Sequence, residues 1–346
     1  MIPAKRETAV LPQTEHGVTP PLRRSGASST QTKPVRGTVL SRLGHAIGHL
    51  KRGTVLQRIR DEWRVRVKRR REAQWQRRMR TFEYMDIEIQ PGVRLRLYSD
   101  SRLSADIFAG DFELREREFL NAFLRPGDVF VDVGANVGVF ALIAARRVGH
   151  MGRVYAFEPC QRAFERLTTN VRLNSFRNIR CHRTALSSRK EWRDIHVSLD
   201  GFDAWNSFAQ PIAGNSFARE RVQCITWDSF ATEDPEAGRV TLMKIDVEGW
   251  EGHVLEGASE TLSRDDAPLL LLEFSDATCQ PPYSCKALYG TLQGFGYRIF
   301  TYDPDRRRLV PDPLRDSYGY VNLIASKRPV DAVCRLRARH LRSGHG

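Results

Sequence analysis

The chain has 346 residues, 41% of them aliphatic or aromatic, which is ample for one large core or two smaller ones and excludes a wholly disordered protein. No run of 18 or more apolar residues occurs, so no membrane-spanning helix is expected, and Met1-Ile-Pro-Ala-Lys-Arg6 is not followed by the apolar stretch of a signal peptide. The net charge of +14 sits at one end: residues 1–80 hold 20 Lys+Arg against 5 Asp+Glu, net +15, and the remaining 266 hold 35 against 36, net −1.

The basicity therefore belongs to an appendage. Residues 1 to about 38 are rich in Pro, Ser, Thr and Gly, show no apolar periodicity and are predicted to be disordered. From there apolar residues fall at helical spacing, first Leu40, Leu43, Ile47 and Leu50, then Leu56, Ile59, Trp63 and Val67, with arginines on the other face. Lys68-Arg-Arg-Arg71 and Arg77-Arg78 extend the charge, with Trp75 and Met79 among them. Such a basic amphipathic segment packs on its own domain, or makes peripheral membrane or protein contact through residues 40–80; nucleic acid is the weaker alternative. The six cysteines show no C-x-x-C or zinc spacing, which fits a reducing, cytoplasmic setting, with association at a membrane surface left open. Cys279 and Cys285, the closest pair, read as ordinary thiols.

Residues 82 to 126 form the entrance to the main domain. Met85 to Tyr98 alternates as a hairpin around Pro91-Gly92. Residues 113 to 124 form a helix that Arg125-Pro-Gly127 stops. Glu113, Glu116 and Glu118 either flank a pocket or lie on a solvated helix face.

The chain is organised around Asp128-Val-Phe-Val-Asp-Val-Gly-Ala-Asn-Val-Gly138 and the apolar run Val139 to Val148. A β-branched strand, a glycine loop and a helix open a nucleotide-binding βαβ unit, with the ligand outside the strand's carboxyl end. The glycines permit close approach of a ligand to the loop, in which Gly134, Ala135, Asn136 and Gly138 are the candidate contacts. Asp132, two residues before the first glycine, would repel a pyrophosphate but suits a cation. S-adenosyl-L-methionine carries a sulfonium and an ammonium, and Asp132 can hold the ammonium directly or through water. Glu158, closing Arg153-Val-Tyr-Ala-Phe-Glu-Pro159, stands where an acid accepts from both ribose hydroxyls. The competing reading makes Asp132 a loop cap and Glu158 a solvated strand end.

A helix through Phe164, Leu167 and Val171 ends at Asn174, and Ile179 to Leu186 is expected as a third strand, with Ala185 at the adenine edge. Residues 191 to 224 hold two short β-like runs around Trp205, an insertion placed to carry acceptor contacts or simply to pack. In Val240-Thr-Leu-Met-Lys-Ile-Asp-Val-Glu-Gly-Trp-Glu251, two-residue alternation points Met243, Ile245 and Val247 one way and Lys244, Asp246 and Glu248 the other. Three charges in a row cannot lie under a helix without heavy desolvation, so they are expected at the open carboxyl end. Pro268 to Phe274 is a fifth strand with Glu273 at the same end, Tyr283 to Gly294 a helix, and Tyr297 to Tyr302 with Tyr320 to Ala325 a closing antiparallel pair. Seven strands result.

Asp132-Val-Gly-Ala-Asn-Val-Gly138, Phe157-Glu-Pro159, Asn170 with Asn174, and above all Lys244-Ile-Asp-Val-Glu-Gly249 with Glu251 and Gly257-Ala258, resemble the FkbM family of S-adenosylmethionine-dependent methyltransferases. Gly110-Asp-Phe-Glu113 is similar too, and the likeness runs from about Gly92 to Ala325. The resemblance implies an α/β fold of the class I methyltransferase (Rossmann-like) type: a seven-stranded sheet, order 3-2-1-4-5-7-6, with helices on both faces. It also implies O-methylation of a hydroxyl on a sugar, glycan, polyketide or similar metabolite. The expected organisation is a basic extension over 1–80, a methyltransferase domain over 81–326 and a basic tail over 327–346.

Methyl transfer to a hydroxyl needs alignment and a proton acceptor. Asp246 is the first candidate base, Glu248 the second, and Lys244 positions either carboxylate. Carboxylates this close could also hold Mg²⁺ through oxygen ligands, but the sequence shows acids without a convincing ligand set, so no metal is expected. His253 reads as a surface histidine. An RNA or protein methyltransferase gripping its substrate through the basic segment is the alternative, although no Asn/Asp-Pro-Pro-aromatic motif or nucleophilic cysteine pattern supports it. A catalytically silent binding protein is the third class.

Overall fold

A computed structural model describes residues 8–9, 65–110, 112–199, 207–208, 216–279 and 281–338. The helical pattern expected over 40–63, and Trp205, lie outside them. The described chain enters through a helix over 65–79 and the hairpin Tyr84–Gln90 (β1) and Val93–Tyr98 (β2). Thr8–Ala9, within the stretch expected to be disordered, pairs in parallel with Asp86 and Ile87. Along β2, Val93, Leu95 and Leu97 are buried and the arginines between them are not, as a period of two requires. Its free edge is closed by side chains: the N–H groups of Arg94 and Arg96 donate to Asn174 and Asn170, each at 2.7 Å. The Asn170 amide also donates to the Val137 carbonyl at 2.9 Å, tying the hairpin to the glycine loop.

Two helices follow, Arg102–Ala109 (α1), capped by the Ser101 side chain and not anticipated, and Leu114–Phe123 (α2). Then come Val129–Val133 (β3), Val139–Val148 (α3), Arg153–Phe157 (β4), Gln161–Asn174 (α4) and Ile179–His182 (β5). Ala185–Leu186 (β6), Glu191–Ser198 (β7) and Phe217–Ile225 (β8) form a separate three-stranded sheet in the order β6-β8-β7. The run expected as one strand from Ile179 to Leu186 is therefore split between two sheets. Trp227–Glu233 (α5), Leu242–Ile245 (β9), Glu251–Glu256 (α6), Ser259–Ser263 (α7), Leu269–Phe274 (β10) and Cys285–Gly294 (α8) continue the chain. Arg298–Asp303 (β11), Arg308–Pro311 (β12), Val321–Ser326 (β13) and Pro329–Arg337 (α9) close it.

The main sheet runs β12-β11-β13-β10-β9-β3-β4-β5, parallel from β10 to β5 and antiparallel at β13. This is the expected class I order with an eighth strand, β12, added at the edge by the hairpin with β11. Alternate residues serve opposite faces. Phe130, Leu242, Leu269 and Leu271 join one core cluster, while Val131, Met243, Ile245, Leu270 and Leu272 join the other. A sheet covered on both faces needs strands apolar on both sides, and every residue of β10 is buried.

Both expected domain boundaries cut through packed structure. Trp75, 2% exposed, lies against Phe108 at 5.5 Å in the first cluster, and Arg71 donates to the Ala109 carbonyl at 3.2 Å. At the other end, the first half of the expected tail is α9, whose Ala332 and Leu336 are buried in that cluster and whose Arg335 pairs with Asp128. Cys279 and Cys285 meet as thiols, with sulfurs 3.5 Å apart.

Candidate active site

Outside the carboxyl ends of β3, β4 and β9 lies a cleft enclosing about 930 Å³, where an open α/β sheet takes its ligand. One end is walled by Gly134, Ala135 and Asn136 after β3, Glu158 after β4, and Thr184 and Ala185 at β6. Glu158 is fixed there by two backbone donors, Asn136 N–H to Oε2 at 2.8 Å and Cys160 N–H to Oε1 at 2.9 Å. One lone-pair direction remains on each oxygen for a ligand hydroxyl. Burial pushes Glu158 up to about 7, against the pull of those two N–H groups. The Thr184 hydroxyl is buried on the same wall without a partner, an acceptor and donor held ready for a polar ligand edge.

Three expected cofactor contacts are placed differently. Asp132 is not on the cleft wall; it is buried, with no donor reaching either oxygen, and burial raises it to about 6. It faces Lys244 across the β3–β9 register and acts as a counter-charge beneath the site. Gly138 is also off the wall, and a Cβ there would meet Leu167 Cδ1 at 2.6 Å. Gly134 is on the wall, but its missing Cβ leaves room for chain rather than ligand: an added Cβ would lie 2.0 Å from the Asp246 carbonyl oxygen. The Asp246 N–H donates back to the Val133 carbonyl at 3.1 Å, so the loops after β3 and β9 are fastened together.

The other end of the cleft is acidic. Lys244, 2% exposed, donates to Asp246 Oδ2 at 2.6 Å and sits 4.7 Å from the centre of the Phe140 ring. It does lie under a helix, α3, contrary to the desolvation argument. Asp246, Asp132 and the ring face offset the desolvation. Burial would lower the Lys244 ammonium, yet Asp246, Glu113 and Asp132 outweigh it and raise its pKa. Burial likewise works against an ionised Asp246, but Lys244 holds it below the usual carboxylate range. The strand ends at Ile245, and Glu248 reaches the cleft through a left-handed residue, φ 53°, rather than by strand alternation. Val247, expected on the opposite face, also touches the cleft while packing on the second core cluster. Burial, with Asp246 and Glu251 nearby, pushes Glu248 up to about 9.

Glu273 is buried beside them, pushed up to about 12 by burial and by the Asp246 and Glu248 charges. Glu113, at φ 44° before α2, lines the same end and accepts from the Tyr320 hydroxyl at 3.0 Å. Burial pushes it up to about 8. One carboxylate held ionised among others that keep protons near neutrality is an arrangement for moving a proton. Tyr320 carried no signal in the sequence, since a tyrosine leading into a strand looks like edge packing; only the fold brings it 207 positions back to Glu113. From the insertion, Ile195 and Phe208 complete the wall, Phe208 against Trp250 at 4.8 Å between ring centres. His253 stacks on Trp250 at 3.7 Å, off the cleft wall.

Residues 132–299 match the family model described as the methyltransferase FkbM domain. The chain is 28% identical over 151 residues to "Methyltransferase 1" of Beauveria bassiana (strain ARSEF 2860), an alignment covering 39% of this chain and 60% of that protein's length. Among solved structures, methyltransferase FkbM from Methylobacillus flagellatus KT is similar at TM-score 0.36 and 15% identity, over 64% of this chain and 54% of that one. An S-adenosylmethionine-dependent O-methyltransferase from Thermotoga maritima is similar at TM-score 0.34 and 16% identity, over 62% and 65% of the two chains.

Proposed function

We propose that the chain, whose residues 132–299 match the methyltransferase FkbM domain, moves the methyl group of S-adenosylmethionine onto a hydroxyl of a sugar, glycan, polyketide or similar metabolite. The observation that carries this reading is the two-ended cleft. A ribose-type acid with one free lone-pair direction on each oxygen stands at one end, and a cluster of carboxylates around one ammonium stands at the other. The unpartnered Thr184 hydroxyl and the free directions on Glu158 fit the polar edges of an adenosyl group.

When bound, the cofactor supplies a methyl carbon whose bond to sulfur breaks, with its electron pair going to sulfur, as the acceptor oxygen bonds to carbon. The protein's own task is alignment and proton removal. Lys244 keeps Asp246 ionised, and Asp246 orients the acceptor hydroxyl and accepts its proton, with Glu248 as the second base. Phe208, Trp250 and the apolar loop wall keep water from the methyl group. Calorimetry with S-adenosylmethionine tests the cofactor half. Mass spectrometry of metabolites and glycans from parent and deletion strains, seeking a lost methyl, tests the acceptor half. Absence of cofactor binding by the folded chain would overturn the reading.

One observation favours the second reading, an RNA or acidic protein acceptor. Arg66, Arg69, Arg70, Arg77 and Arg80 are all exposed on or just after the helix over 65–79. Nucleic-acid binding that falls steeply with salt would support it.

A further inference from the structure

The acidic end of the cleft holds more carboxyl groups than the proposed proton transfer uses. Asp246, Glu248 and Glu273 each place one carboxylate oxygen within 4.8 Å of the other two, the one such group of three among the described residues. Independently of that spacing, Glu273 is 1% exposed and neither of its oxygens has a hydrogen-bond partner. A carboxylate buried in that way is costly unless a proton or a cation meets it. Lys244 is held at Asp246 Oδ2 and is the one ammonium beside the group.

We propose that Asp246, Glu248 and Glu273 bind one hard divalent cation, Mg²⁺, Mn²⁺ or Ca²⁺, at the acceptor end of the cleft, where the ion takes the acceptor oxygen as a further ligand. All three donors are carboxylate oxygens, which select hard ions over zinc or copper. Ligands about 2.1 to 2.5 Å from a shared ion lie no more than roughly 5 Å from one another, a limit that these oxygens, all within 4.8 Å of one another, meet. Two come from the turn after β9 and one from β10, so neighbouring strand ends supply the site and the cleft supplies its open positions. The proposal rests on the methyl-transfer reading and changes one role within it. Asp246 becomes a ligand that positions the acceptor through the ion. The dication beside it favours the ionised form of Glu113, whose Oε2 is buried on the same wall without a partner, and that carboxylate takes the acceptor proton. A hydroxyl bound to a dication gives up its proton more readily.

The test uses the full chain, stripped with EDTA and titrated with Mn²⁺ under calorimetry and electron paramagnetic resonance. One Mn²⁺ per chain is expected. Glu273→Gln and Glu248→Gln should each weaken it at least about tenfold, the smallest effect usual even for residues that only support a ligand. Circular dichroism establishes which variants fold, and either one alone decides. No Mn²⁺ bound by the parent, or binding unchanged in a folded variant, overturns the proposal and leaves a cluster neutralised by protons. Cofactor affinity is measured in parallel on the same samples. Cofactor binding without Mn²⁺ binding sinks this inference alone, whereas Mn²⁺ binding without cofactor binding sinks the methyltransferase reading.

Discussion

Glu158→Gln separates the two things this side chain does. In the parent, each oxygen accepts from one backbone N–H and has one direction left for a ribose hydroxyl. The amide keeps a single acceptor and turns an –NH₂ towards the other hydroxyl. A charge-assisted hydrogen bond contributes about 1.5 to 3 kcal/mol and a neutral one about 1. Losing one such bond and weakening the other amounts to about 2 to 4 kcal/mol, roughly 30- to 1,000-fold in the Kd for S-adenosylmethionine. Calorimetry at pH 8, where Glu158 is ionised, reads this directly. An unchanged Kd would refute the ribose assignment.

The same substitution tests the burial argument without any ligand. Burial lifts Glu158 from its ordinary 4.5 to about 7, so the folded state holds the proton more tightly than the unfolded chain. The resulting stabilisation is fully present below about pH 4.5 and is lost as pH rises through about 7. Its upper limit is about 3 kcal/mol. Glutamine does not titrate. The Tm of Glu158→Gln relative to the parent should therefore rise between pH 5 and pH 8, whatever constant offset the altered backbone contacts impose. A Tm difference flat across that range would show that the carboxylate is not held against its charge.

Asp246→Asn should lower methyl transfer about 10²- to 10⁴-fold while changing the cofactor Kd little, because Asp246 lies at the acceptor end. A near-parental rate would make it structural. The matching control is Met243→Ala: Met243 is fully buried in the second core cluster, away from the cleft. It should cost about 2 to 5 kcal/mol in denaturant unfolding with little change in turnover per folded molecule. Gly134→Ala puts a methyl 2.0 Å from the Asp246 carbonyl, at a φ of 80°, so cofactor affinity and turnover should fall together; a normal turnover would show that the two loops move freely. A chain starting at residue 65 should melt close to the parent, whereas one starting at 81 loses the Trp75 ring and about 3 to 5 kcal/mol. Equal melting of the two would refute the docking of the 65–79 helix.

The fold was legible wherever local chemistry and tertiary demand agree. The strand at Val129 and the apolar β10 followed from runs that fit a doubly covered sheet, whereas the strand order was what the family resemblance implied. Whether the segment before residue 80 packs on its own domain stayed open in the sequence, because exposed arginines dominate it and a single tryptophan among them gives no sign of being buried. The same holds for α9, where two buried side chains in a basic stretch decide the packing. Lys244, Asp246, Glu158 and Gly134 to Asn136 could be singled out because spacing marks them, and the structure brings them to one cleft. Glu113, Thr184 and Tyr320 were weakly marked or unmarked, since long-range topology alone brings them to the cleft. Strand alternation placed Glu248 in the cleft for the wrong reason, because the strand has ended before it and a left-handed turn does the aiming.

Gly134 shows why a glycine in a ligand loop need not be there for the ligand. Close approach of a cofactor and close approach of a neighbouring backbone leave the same mark in a sequence, a missing Cβ at a strand's carboxyl end. The structure distinguishes them, because the space beside Gly134 is filled by the Asp246 carbonyl and the Asp246 N–H bonds to Val133. The loop after β3 and the turn after β9 are therefore in contact through backbone, with no side chain at Gly134 to absorb a displacement. A shift of the glycine loop on cofactor binding must move the Asp246 carbonyl or break that contact. Under the proposed roles, occupancy of the cofactor end would bear on the acceptor group through this backbone contact, which is what Gly134→Ala tests.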